Sequence, residues 1–280
     1  MKDLRLNGQP KLSPEIERNL ALVPGAEPST RIDPWWWLVV IVIALAAILV
    51  TTSKEYNSIS RFIVDGIGVT LIITLVSYLL MLVVGMAGAL GRLSKNPIAH
   101  GIASLYVELV RGIPLLVQLV WWYFALPVII QQIGHWLNFE PLIKYQASAI
   151  GTAIIGLVFC YGAYMSEIFR AGIQSIPKGQ MEAARSLGMS YFQAMRHIIL
   201  PQAIRVVLPP VGNEFTSLLK DSSLVSVVAV EDLTRRGTEY MAAHFDPIQV
   251  WTMVALVYLI MTLFSARLVS LLEKRTRFER

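Results

Sequence analysis

Apolar residues fall in six long runs along this chain, separated by short polar stretches. The runs cover 34–52, 67–90, 112–131, 147–170, about 204–228 and 250–270. A helix needs about 20 mainly apolar residues to cross a bilayer, so each run predicts one transmembrane helix. No polar stretch between them is long enough for a soluble domain. The reading is an all-α polytopic membrane protein with about six spans.

Local signals refine the ends. Residues 1–33 form a polar tail with Asp3, Glu15, Glu17, Glu27, Asp33 and five basic residues, unlike the short basic start of a signal peptide. Asp33 is placed to cap the first helix, with Pro34 at its first position and Trp35, Trp36 and Trp37 suited to a membrane interface. The pattern divides the chain into a cytoplasmic tail 1–33, an additional first helix 34–52, an external loop 53–66, a transmembrane domain 67–270 and a cytoplasmic tail 271–280. The domain carries one long cytoplasmic loop, 173–201.

Composition agrees: 55% of residues are hydrophobic and 15% charged, against about 25% charged in soluble domains. With the N-terminus placed inside, the inner stretches 1–33, 91–111, 170–200 and 271–280 hold sixteen lysines and arginines and the outer stretches 53–66, 128–146 and 229–249 hold five. Basic residues accumulate on the cytoplasmic side, so both termini are expected inside, and the net charge of +5 needs no nucleic acid partner. The single cysteine, Cys160, lies in an apolar run and reads as a packing residue. His100, His135, His197 and His244 are scattered without a nucleophile or metal-ligand grouping, which argues against an enzyme and against a metal site.

The loop before the fifth span has a built-in plan. Ser175 can cap a short helix with Pro177 in its first turn, and Gly188 suits the left-handed position that ends it. Ser190 and Gln193 form a capping box that starts a second helix, and Pro201 marks a break before the fifth span.

Charged residues near the spans are few. Glu108 and Arg111 are three apart and can pair on one helix face before Gly112 and Pro114 break it; Glu167 and Arg170 repeat that spacing near the inner end of the fourth span. Both pairs read as gate-forming or architectural. In the fifth run Pro209 and Pro210 interrupt the helix, followed by Asn213, Glu214, Ser217, Lys220 and Asp221. Positions 213, 217, 220 and 224 share one face, and 214, 217 and 221 an adjoining one. A lipid-facing helix would not carry this stripe. It either lines a polar path with groups of both signs, with Asn213 and Glu214 contacting substrate, or satisfies itself at a subunit interface.

Glu182-Ala183-Ala184, Gly188 after three residues, Ile198 after nine, then Leu200-Pro201 resemble the E-A-A-x3-G-x9-I-x-L-P loop of bacterial ABC import permeases. The stretches Glu108-x-x-Arg111-Gly-Ile-Pro114, Glu167-Ile-Phe-Arg170-Ala-Gly172 and Leu208-Pro-Pro-Val-Gly-Asn213-Glu214 extend the resemblance to the polar-amino-acid permeases over roughly 65–270. Residues 1–52 look like an addition to a five-span core. The resemblance implies a permease subunit of an ATP-driven importer in a bacterial cytoplasmic (inner) membrane, embedded in membrane lipid. It also implies that Glu182, Ala183, Ala184, Gly188, Ile198, Leu200 and Pro201 couple to a separate ATPase present in two copies. Other implied partners are a second permease subunit, identical or homologous, and a soluble or lipid-anchored amino-acid-binding protein. The chain has no G-x-x-x-x-G-K-[ST] phosphate loop, so ATP and Mg belong on the partner and this chain is expected to bind no cofactor. An ion-coupled secondary transporter would instead use Glu214 and Asp221 and need no such loop; a membrane scaffold would lack the polar stripe.

Overall fold

The structure, a computed structural model, describes residues 35–276. Asp33, Pro34 and the tail before them lie outside the described residues. Packing divides the chain into two units, Met1–Ile41 and Val42–Arg280. The first contributes here only the opening residues of α1 (Trp35–Thr52). All that follows concerns the second.

That unit is built from helices: α2 (Lys54–Leu93), α3 (Pro97–Gly112), α4 (Leu115–Leu137), the single turn α5 (Glu140–Ile143), α6 (Ala149–Gln174), α7 (Lys178–Ser186), α8 (Tyr191–Ala194), a π turn (Met195–Ile199), α9 (Leu200–Asp221), a 3-10 segment (Ser222–Val228), α10 (Leu233–His244) and α11 (Pro247–Thr276). Among the described residues, four helices are long and apolar enough to cross a membrane: α2, α4, α6 and Pro247–Leu271 of α11. The fifth expected run is α9, whose polar stripe keeps its hydropathy below theirs.

α6 is the centre. Its Leu157, Tyr161, Met165 and Phe169 are buried against Ile73, Met81 and Ala89 of α2, Leu119 of α4 and Val207 and Leu218 of α9. More than half of its apolar window is buried in the molecule, 56% against 28% or less for the other three. The other three leave most of their apolar surface uncovered by this chain.

Two expectations about element boundaries change. The expected external loop 53–66 is helical and forms the start of the 40-residue α2, whose N-cap Ser53 accepts a hydrogen bond from the Tyr56 amide. Helical packing wins there because Ile59 and Ile63 are buried with Leu233 and Tyr240 of α10 and Val250, Met253 and Val254 of α11. Pro209 and Pro210 do not interrupt α9, which runs unbroken through both.

A buried polar knot fixes the chain after the 3-10 segment. Asp232, fully buried, caps α10 by accepting from the amides of Arg235 (2.9 Å) and Thr234 (3.2 Å), and Tyr258 of α11 donates to it at 3.2 Å. Burial raises its carboxyl above the usual range, and the amide bonds pull it partly back. The Leu233 amide donates to Thr70 of α2 at 3.1 Å. A β-carbon at Gly66 would lie 2.8 Å from Leu233 Cα, so only glycine admits this approach.

Candidate functional site: the loop hairpin and the polar helix

The loop folds as a helical hairpin. α7 is closed by paired bonds from Gly188 N–H to Arg185 O (3.0 Å) and Met189 N–H to Ala184 O (3.2 Å), the Schellman pattern, with Gly188 at φ +83°. The Ser190–Gln193 capping box is complete and starts α8. Two expected signals act otherwise. Ser175 does not cap α7; it ends α6, donating to Gly172 O, and Pro177 occupies the cap position. Pro201 does not break the chain either. The π turn before it widens the helix by one residue. That accommodates a ring that would otherwise meet a carbonyl one turn back, so α8 runs into α9.

The hairpin places its candidate residues unequally. Glu182, Ala183, Gly188, Leu200 and Pro201 are exposed, Ile198 is half-buried, and Ala184 is buried with Ala194 and Ile199 inside the hairpin. Its outer surface carries three large apolar side chains absent from the spaced motif: Leu187, 84% exposed, Tyr191 and Phe192.

On α9, Leu218 and Leu219 face the core, whereas Asn213 and Lys220 are exposed and Glu214, Ser217 and Asp221 half-buried. Two tyrosines missed in the sequence support this stripe. Tyr161 of α6 donates to Asp221 at 2.7 Å, and Tyr78 of α2 donates to Val211 O at 3.2 Å while packing edge-on against Phe215. The signal was present: a phenol inside an apolar run must find an acceptor.

The two charged pairs part company. Glu167 does bond Arg170, and its carboxylate also receives Arg92 from the end of α2. Glu108 and Arg111 form no pair among the described ion pairs. Glu108 is exposed, and the Arg111 guanidinium lies 5.3 Å from the ring centre of Tyr164 on α6. The ring face of Tyr164 attracts the cation through its quadrupole. Gly112 and Pro114 do end α3 where expected, with Ile113 between helices. Cys160 is buried, with the Gln118 amide 3.6 Å from its sulfur. No group of residues suited to a metal ion is present among the described residues.

Comparison with known proteins gives this geometry a context. The family described as "Binding-protein-dependent transport system inner membrane component" matches residues 81–278. The "Glutamine transport system permease protein GlnP" of Escherichia coli is 35% identical over 215 residues, 77% of this chain and 93% of that one. The "Nopaline transport system permease protein NocM" of Agrobacterium fabrum is 38% identical over 208 residues, 73% and 83% of the two chains. A solved structure described as "Crystal structure of an amino acid ABC transporter with histidines" superposes with a TM-score of 0.70 at 35% identity, covering 79% of this chain and 97% of that one. An inward-facing MetNI methionine ABC transporter shares the fold at a TM-score of 0.63 and 20% identity. The chain belongs to the family of binding-protein-dependent transport system inner membrane components, and it is a membrane-embedded transport subunit rather than an enzyme.

Proposed function

We propose that this chain is the permease subunit of an ATP-driven importer for a polar amino acid, in a bacterial inner membrane, and that its hairpin docks on a separate ATPase. The observation that carries the docking is the exposed apolar surface of Leu187, Tyr191 and Phe192, flanked by Glu182 and Arg185. Large apolar groups left in water on a polar hairpin mark a protein contact. The hairpin is rigid, pinned by the Schellman turn and capping box, so it transmits displacement rather than absorbing it. Glu182 then acts by charge at the rim, and Ala183 and Gly188 let the partner approach closely.

The assembly has two permease subunits, two ATPases that hold ATP and Mg, and an amino-acid-binding protein that delivers substrate externally, with both termini of this chain inside. α9 lines the path. A zwitterionic amino acid brings an ammonium and a carboxylate, and Asn213, Glu214, Ser217, Lys220 and Asp221 offer groups for each. Relatives named for glutamine, arginine and nopaline support an amino acid or its conjugate as cargo.

The test is recovery of the ATPase with the tagged permease. Deleting 180–201 should abolish it, and L187A/Y191A/F192A should cut it at least tenfold, which is about 1.4 kcal/mol of affinity. Full recovery with the deletion overturns the docking, and leaves a secondary transporter driven through Glu214 and Asp221.

A further inference from the structure

The hairpin is inserted between the end of α6 and the start of α9, and those two helices are in close contact. A β-carbon at Gly172 would lie 2.0 Å from Val207 Cγ1. The hairpin thus hangs from one packed pair. α2, the longest described helix, is not continuous with it and meets that pair along α6 and, through Tyr78, at Val211 and Phe215 of α9.

The inner ends of α2 and α6 are joined by Glu167. Its carboxylate bonds Arg170 one turn along the same helix, through Nε at 3.1 Å and through Nη2, and bonds Nη1 of Arg92 in the last turn of α2. The Arg170 bridge is local. The Arg92 bridge crosses between helices whose residues lie 75 apart in sequence. The Arg92 side chain is only 15% exposed and its Nε is buried without a partner, so Glu167 is the carboxylate that balances it. Removing Glu167 strands the Arg92 charge, whereas removing Arg92 leaves Glu167 paired with Arg170 but unlinked from α2. The backbones are also close here. A β-carbon at Gly85 would lie 2.5 Å from Met165 Cβ, and one at Gly88 would lie 2.8 Å from Ser166 Oγ.

We propose that Glu167 is a positioning residue for transport, whose bridge to Arg92 makes α2 follow the hairpin when the ATPase moves it. This rests on the hairpin being the docking element. A bare van der Waals contact between smooth helices permits sliding, whereas a partly buried, charge-assisted bond from Arg92 Nη1 to Glu167 resists slip along the helix axis. With the bridge intact, α6, α9 and α2 shift as one body. Without it, the hairpin carries α6 and α9 while α2 stays behind.

Spin labels at Lys95→Cys, just past α2, and Leu187→Cys, on the hairpin, test this in the assembled transporter with its ATPase, without nucleotide and with ATP plus vanadate. Cys160 is buried and stays unlabelled. The wild-type distance should change by less than about 2 Å, the size of an interface helix shift, and that of E167Q or R92Q by more than about 4 Å, towards the one-turn slip of about 5.4 Å. R170Q, which loses only the intrahelical bridge, should behave as wild type. If E167Q does not reach the membrane, E167D, which keeps the charge but shortens the reach, is scored the same way. A large change in the wild type, an unchanged distance in E167Q or E167D, or an R170Q that behaves as E167Q overturns the proposal. Failure of the docking itself is read separately, by recovery of the ATPase with the chain lacking 180–201.

Discussion

Gly172 shows how much one missing methyl group carries. Its neighbours leave no room: Val207 Cγ1 occupies the place a β-carbon would take, 2.0 Å away. Gly172→Ala should force α6 from α9 and lower stability by about 1–3 kcal/mol, the usual cost of overpacking. Val207→Ala makes the space back, so the double variant should recover most of the loss. Thermal unfolding in detergent reads both, and a double variant as unstable as the two losses added would show that the contact is not what Gly172 serves. Gly188 is a glycine for a different reason. A β-carbon there would meet nothing within 4 Å, and the cost of substitution comes from φ +83° alone, about 1–2 kcal/mol for a β-bearing residue.

At the scale of elements, α10 is held by its first residue boundary more than by its own sequence. Asp232 is buried, caps the helix and takes the Tyr258 hydroxyl. Asp232→Ala removes a cap worth about 1 kcal/mol and one of the two partners of the Tyr258 hydroxyl, which keeps Thr234 Oγ1 at 3.0 Å, for about 0.5–1.5 kcal/mol more. The expected result is a loss of stability larger than that of Thr234→Ala, followed by thermal melting. The elements most legible in the sequence were those with strong punctuation. Gly188, Ser190 and Gln193 define the hairpin through backbone chemistry within a few residues, and the hairpin has that form. The first half of α2 was not legible as helix. Lys54, Glu55, Asn57, Ser58, Arg61 and Asp65 dilute its apolar signal, and its apolar face of Ile59 and Ile63 finds partners only in α10 and α11, almost two hundred residues on. Pro201, Pro209 and Pro210 read as breaks because local rules ignore how a π turn or a packed groove absorbs a proline. Arg92 as partner of Glu167, and Tyr161 as donor to Asp221, carry no local spacing at all, so only the fold brings them together.

For the whole molecule, the proposed function turns on which end of α9 would face an ATPase, because a docking hairpin and an external receptor would lie on opposite sides. α9 has 22 residues, hence a length of about 33 Å, enough to cross a hydrocarbon core of about 30 Å. The hairpin lies at its start. Beyond its end come the 3-10 segment and α10, which closes at Phe245, 83% exposed and in a left-handed turn. If α9 crosses as proposed, Leu187, 84% exposed at the hairpin tip, and Phe245 mark the two ends of that crossing. The proposed orientation, with the excess of basic residues on the hairpin side, puts Leu187 in the cytoplasm. A membrane-impermeant maleimide should label Phe245→Cys in intact spheroplasts and Leu187→Cys only in inside-out vesicles. Cys160, buried in the core, supplies an internal blank in both. Labelling of Leu187→Cys from outside would reverse the orientation and remove the hairpin from the reach of any cytoplasmic ATPase. Labelling of both positions from one side would mean that α9 does not cross, and the polar stripe would then have no path to line.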